Sequence, residues 1–215
     1  MEGQTEEKFI KEVLSPYIKS SLNNTSLNIQ PIIIKTKREK SGKTFKGGVT
    51  TYSKIKDEIH RIKDEQCIIT TMFDYYGLPI DFPGLKELPN MEIYKKIAYL
   101  YKTWQADIAR PNFIPYLFLH EFETLLFVDP KISAETFLDL HAEKKLNTII
   151  KQYTNIEKIN SGATTHPSAR IRSIYPNYNK VQDGTIISQK IGIDTIRTKC
   201  NNFENWIKRI LDSLH

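Results

Sequence analysis

Ile114-Pro115-Tyr116-Leu117-Phe118-Leu119-His120-Glu121-Phe122-Glu123-Thr124-Leu125-Leu126-Phe127 is the stretch on which the reading of this chain turns. Ile114 to Leu119 reads as a core strand, and Leu125 to Val128 as the inner face of a short helix. Between them stand an imidazole and two carboxylates. A charge at such a buried seam is costly unless it is paired or holds a metal. The seam therefore calls for chemistry as well as packing.

Working outward, the same pattern recurs. Thr5 to about Leu22 has helical spacing, with Phe9, Val13, Tyr17 and Leu22 in one stripe, Thr5 or Gln4 as cap, and Pro16 as a point of bending. Leu27 to Ile34 reads as a strand, and Thr50 to Glu65 as an amphipathic helix. Cys67 to Phe73 is a second buried strand that ends at Asp74. A loop rich in Pro and Gly follows, then a long helix capped by Asn90 and running to about Ala109. Phe113 to Leu119 is the third strand, and Glu121 to Val128 starts another helix. Nearly all-apolar strands alternating with helices predict an α/β fold with a mostly parallel sheet covered on both faces. Ligands collect at the carboxyl ends of such strands. Asp74 and the run His120 to Glu123 fall just past two of those ends. The expected organisation is an α/β core over residues 1–130, with a mostly helical part over 131–215 packed on the same domain. In that last part Asp183 to Lys190 and Asp194 to Cys200 read as short helices, and Phe203 and Trp206 as core.

With 215 residues, 40% of them hydrophobic, the chain can bury one sizeable core. No apolar run reaches the roughly 18 to 20 residues that span a bilayer, so no membrane role is expected. The start Met1-Glu2-Gly3-Gln4-Thr5-Glu6-Glu7 is acidic and polar, unlike a signal peptide. Cys67 and Cys200 suggest neither a disulfide framework nor a zinc site, which makes a cytoplasmic location the default. A net charge of +6 points weakly to a polyanionic partner. More telling is the run Lys35, Lys37, Arg38, Lys40, Lys43 and Lys46, opposed only by Glu39. It reads equally as a solvated loop or as a loop that grips phosphates.

Two motif matches fail. Ser41-Gly42-Lys43-Thr44 imitates a P-loop, but the earlier Gly is replaced by Lys37. His120-Glu121 opens like a zinc-protease helix, yet Thr124 holds the place of the second His. What remains is an acidic set: Glu2 and Glu6 at a helix start, Asp74 after one strand, and Glu121 or Glu123 after another. Oxygen ligands spread over strand ends suit Mg²⁺ or Mn²⁺. Each acid also has a structural alternative: Glu6 beside a helix dipole, Asp74 capping the turn Tyr75-Tyr76-Gly77, Glu121 paired with Arg170.

Glu2-Gly3-Gln4-Thr5-Glu6 resembles the opening of Toprim domains of the OLD-nuclease type. Thr71 to Pro79, Pro115 to Phe127, Gly47-Gly48 with Tyr52, Pro167 to Ile171 and Ile191 to Trp206 are similar to segments of an uncharacterised bacterial Toprim-like family. The likeness covers nearly the whole chain. It implies a Toprim-like sheet and metal-dependent phosphodiester chemistry on DNA or RNA, in bacterial anti-phage defence beside an ATPase partner. Under it, Glu2 serves in acid/base chemistry or metal binding and Glu6 is a nearby ligand. Asp74 is the surviving member of an aspartate pair, and Glu123, with Glu121 close behind, is the third anchor.

Two departures stand out: the aspartate pair reads Asp74-Tyr75-Tyr76, and no strand precedes Glu2. The start is therefore expected to fray, leaving Glu2 loosely held. His120 can orient a carboxylate, act as an acid, or be a buried, hydrogen-bonded histidine. Arg170 and Lys180 can contact phosphate or form surface pairs, and Tyr75 and Tyr76 can stack on bases or pack on the Pro-rich loop. Two functions follow: a metal-dependent nuclease, or a non-catalytic module that binds nucleic acid or an ATPase.

Overall fold

The computed structural model describes residues 1–34, 51–139, 141–159, 162 and 164–214. The chain is α/β, as the alternating pattern predicts. Its sheet segments are β1 (Ile69–Thr70), β2 (Phe73–Asp74), β3 (Phe113–Ile114) and β4 (Leu117–Phe118). β1 pairs in parallel with β3, Ile69 opposite Phe113, and β2 pairs in parallel with β4, Asp74 opposite Phe118. The register runs unbroken from the first pair to the second.

Each of the two expected long strands is thus split in two. Pro115 has no N–H to give to a ladder. Beside it the Thr71 side chain stands in: Oγ1 accepts from the Tyr116 N–H at 2.9 Å and donates to the Tyr116 carbonyl at 3.1 Å. Side chains alternate between faces along this sheet. Ile114, Tyr116 and Phe118 join one core with Phe9, Phe203 and Trp206. Phe113, Leu117 and Leu119 join a second with Ile55, Ile97 and Trp104. Two buried faces are why these strands read as continuous apolar runs.

The first helix departs from expectation at both ends of the argument about its caps. α1 (Gln4–Phe9) has Gly3 as its N-cap, with no side-chain bond from Thr5 or Gln4. It passes through a π-helical turn (Ile10–Leu14) into α2 (Ser15–Ser21). The wide turn lies just ahead of Pro16, whose ring and missing N–H would otherwise disrupt the ladder. Residues 27–34, expected as a strand, form no regular strand. Instead the Met1 nitrogen donates to the Ile32 carbonyl at 3.2 Å, and the Ile34 N–H donates to the Met1 carbonyl at 3.1 Å. These are two bonds of a parallel ladder. They overturn the expected fraying: Met1 is buried and anchored, and Glu2 follows directly from it.

α3 (Tyr52–Arg61) is shorter than expected. α4 (Ile93–Ile108) starts later than Asn90 because Glu92 caps it, accepting from the Tyr94 N–H at 2.9 Å. The helix expected from Glu121 is a 3-10 segment, Phe122–Phe127, with all six residues buried. The rest is helical: α5 (Pro130–Phe137), α6 (Ala142–Ile150), α7 (Pro167–Ile174), α8 (Lys180–Ile191), α9 (Ile193–Lys199) and α10 (Asn201–Leu214). Buried Glu157 caps α10, accepting from the N–H groups of Asn202 at 2.9 Å and Phe203 at 3.2 Å. Phe203 and Trp206 are core, as read from the sequence. Cys67 and Cys200 are free thiols. Among the described residues, no helix is long and apolar enough to cross a membrane.

Thr71→Val keeps the side-chain volume but strips the Tyr116 backbone of both partners. Urea denaturation should show a loss of about 1–3 kcal/mol. An unchanged midpoint would mean that the break at Pro115 needs no side-chain substitute.

Candidate functional site

Asp74 ends β2, and its paired neighbour Phe118 ends β4, so the parallel register delivers Asp74 and the His120–Glu123 run to one end of the sheet. α1 brings Glu6 to the same place, because Phe9 packs edge-on against Phe122 with ring centroids 5.3 Å apart. Glu2 closes the group: its Oε1 accepts from the Asp74 N–H at 3.3 Å. Gly77 lies against it, since a Cβ there would sit 3.6 Å from that same oxygen. Glu6, Asp74 and Glu123 are buried.

Among the described residues Lys180, expected either to contact phosphate or to form a surface pair, faces this group. Lys180 opens α8, where the Asn179 side chain accepts from the N–H groups of Val181 and Gln182. Its Nζ lies 3.2 Å from Glu123 Oε2. A lysine in the first helical turn opposes the helix dipole. Burial also works against its charge, yet the carboxylates of Glu123, Asp74, Glu6 and Glu121 outweigh burial and hold its pKa above the ordinary value. The signal was in the sequence as a reciprocal cap: Asn179 holds the helix start while the Asp183 carboxylate accepts from the Asn179 N–H at 2.8 Å.

The two glutamates of the seam have opposite surroundings. Burial works against the charge on Glu121, but Ser168 N–H at 2.7 Å, Tyr76 OH at 2.8 Å and His166 Nδ1 at 3.2 Å more than offset it. Its pKa is held below the usual carboxylate range. Glu121 thus clasps the start of α7 and the Tyr76 ring, and it does not pair with Arg170. Glu123 is completely buried, and neither of its oxygens receives a directed hydrogen bond; the Lys180 contact is an ion pair alone. Burial pushes its pKa up, with Lys180 opposing.

Asp74 behaves like Glu123: burial, then the neighbouring charge of Glu2, raises its pKa well above the ordinary value. Burial, with Glu6 beside it, lifts Glu2 to about 7. Asp74 does not cap the following turn through its side chain.

The remaining candidates are not drawn in. His120 is buried, its Nδ1 has no hydrogen-bond partner, and burial lowers its pKa. Arg170 braces its own loop, donating to the Thr165 carbonyl and to Tyr153 OH at 2.7 Å. Tyr75 is partly buried, whereas Tyr76 is half-exposed at the rim. Lys37, Arg38, Lys43 and Lys46 lie outside the described residues. Among the described residues, no three His, Cys, Asp or Glu side chains converge closely enough to form a ready-made metal site.

Chemically, the group is an excess of buried carboxylates over one lysine. Such a site takes up protons or a further cation. A family model described as "Domain of unknown function (DUF4276)" matches residues 1–211. No curated protein and no solved structure matches the chain.

Two expectations follow. Glu2 binds its proton more tightly in the folded chain, at about 7, than at its ordinary value of 4.5. That stabilising share is complete below the lower value and lost as pH rises through the upper one. The metal-free protein should therefore melt at a lower temperature near pH 8 than near pH 5.5, and Glu2→Gln should flatten the slope. A rise in melting temperature across that window would contradict the assignment. Lys180→Met should cost about 2–4 kcal/mol by leaving Glu123 buried and unpaired, and Lys180→Met with Glu123→Gln should recover most of it in a double-mutant cycle.

Proposed function

The chain belongs to the DUF4276 family, and we propose that it is a metal-dependent phosphodiesterase of Toprim-like type that acts on nucleic acid. One observation supports this reading: Glu123 is fully buried in a group with Glu2, Glu6 and Asp74, and among the described residues its one ion-pair partner is Lys180. An excess of buried carboxylates over the cation that faces them is what a hard divalent cation satisfies. Asp74 and Glu123 would hold Mg²⁺ or Mn²⁺, with Glu6 and Glu2 close by. A bound cation would neutralise charge on the phosphodiester and on the leaving oxygen.

The chain's own groups supply the rest. Glu2, with a pKa of about 7, suits a general base at neutral pH. Its Oε1 is engaged by the Asp74 N–H, so Oε2 would take the proton as water attacks phosphorus and the bond to the leaving sugar oxygen breaks. Lys180, held charged by its neighbours, would face a phosphate oxygen. Tyr76 and the basic run 35–46 are the candidate contacts to base and backbone. The same resemblance suggests a prokaryotic defence role, a cytoplasmic setting and an ATPase partner.

A second reading has its own support. The position two after Asp74 is Tyr76, Glu121 is committed to α7, and the acids do not converge on one point. A non-catalytic module that binds nucleic acid or an ATPase would keep such a fold.

Incubation with single- and double-stranded DNA and RNA in Mn²⁺ or Mg²⁺ separates the two. The enzyme should cut, and Asp74→Asn or Glu123→Gln should slow cutting by about 100-fold or more. Independently of turnover, Mn²⁺ at 100 times its dissociation constant should stabilise the protein by about 2.7 kcal/mol, and Glu123→Gln should abolish that gain. Binding without cutting, together with no cation effect on melting, would establish the second reading.

A further inference from the structure

Both oxygens of Glu121 are occupied. Oε1 accepts from Tyr76 OH at 2.8 Å and from Ser168 Oγ at 3.1 Å. Oε2 accepts from the Ser168 N–H at 2.7 Å and lies 3.2 Å from His166 Nδ1. A carboxylate offers about four acceptor positions, so little is left for a further ligand. Of the side chains it gathers, Ser168 is buried and His166 partly so, but Tyr76 is 52% exposed. The neighbouring Tyr75 turns the other way and packs against the core of Phe73 and Trp104.

Tyr76 is therefore held as well as exposed. The 3-10 turn Tyr75–Gly77 fixes one end of the side chain, and the bond to an anchored carboxylate fixes the other. A ring pinned at both ends has little rotamer freedom left to lose when a ligand lies on it. The turn also sets the ring beside the acid group. Tyr76 stands two residues after Asp74, and a Cβ on the adjoining Gly77 would sit 3.6 Å from Glu2 Oε1. Ile80, in the same loop, is 77% exposed. The rim of a polar, acidic site thus presents a fixed aromatic ring and an aliphatic side chain, which suit a ligand with a flat apolar face.

We infer that Tyr76, braced by Glu121, is a stacking platform for one unpaired base, and that the substrate class is single-stranded nucleic acid. This rests on the reading of the acid group as a phosphodiesterase site. Inside a duplex both faces of every base are covered by its neighbours, so a protein ring stacks only on a base that has left that pile. Asp74 and Glu123 are buried, and a flexible single strand can turn a phosphate inward to them while its base stays at the surface. A duplex holds its phosphates on a stiff frame. Glu121 is then a positioning residue that acts through the ring.

Binding is measured in EDTA by fluorescence anisotropy on a single-stranded DNA, its duplex, and the same strand with abasic sugars at its centre. The wild type should hold the intact strand at least about tenfold more tightly than the duplex or the abasic strand. Tyr76→Ala should lose about tenfold on the intact strand and become indifferent to the abasic change. Tyr76→Trp should keep the preference. Tyr76→Phe keeps the ring but releases it from Glu121, and it should fall between the wild type and Tyr76→Ala. The abasic comparison uses the wild-type protein alone, so it stands even if Tyr76→Ala fails to fold. Equal affinity for intact and abasic strands, equal affinity for strand and duplex, or no binding to any probe would overturn the proposal. In Mn²⁺, duplex cutting that Tyr76→Ala leaves unchanged would overturn the platform and keep the nuclease reading. Selective single-strand binding without cutting would do the reverse.

Discussion

Parallel pairing of Phe73 and Asp74 with Leu117 and Phe118 is the constraint from which the rest of the molecule follows. Parallel strands need a crossover, and α4 supplies it, covering one face with Ile97, Leu100 and Trp104. The other face is then covered by α1 and the C-terminal helices, with Tyr116 stacked on Trp206 at 4.2 Å. Because both strands point the same way, their carboxyl ends meet, and so do the acids that follow them. A shift of one residue would turn Asp74 onto the opposite face and scatter the group. Thr71 guards against that slip by gripping Tyr116 where Pro115 interrupts the ladder.

Glu121 and Glu123 illustrate how neighbours in sequence part ways in chemistry. They share a seam, a charge and burial. Glu121 receives donors from three residues and becomes a clasp. Glu123 receives none and leans on Lys180. The difference lies in what each meets across the chain, since the donors to Glu121 come from Tyr76, His166 and Ser168.

That distance also explains what the sequence disclosed and what it hid. The apolar runs, their alternation with helices and the acids just beyond them were legible, because each is a local pattern with a period of its own. Strand ends were misjudged because apolar character says nothing of hydrogen bonding, and Pro115 sat unnoticed within a strand. Lys180 stayed between a phosphate contact and a surface pair because its charge looks ordinary until the Asn179–Asp183 cap sets it at the start of α8. Arg170 donates to the Thr165 carbonyl and to Tyr153 OH, contacts that no local pattern announces.

The site's groups come from positions 2, 6, 74, 123 and 180, so its parts span most of the chain's length. Contacts of such long sequence separation form slowly, since each must close a large loop before it gains anything. Until α8 arrives, Glu123 has no countercharge, and the seam between the 3-10 segment and α1 cannot close dry around it. Burying Glu123 as a carboxylate is therefore costly without the cation that α8 contributes. The lysine thus acts as a latch between distant parts of the chain, and without α8 Glu123 would lose its ion-pair partner.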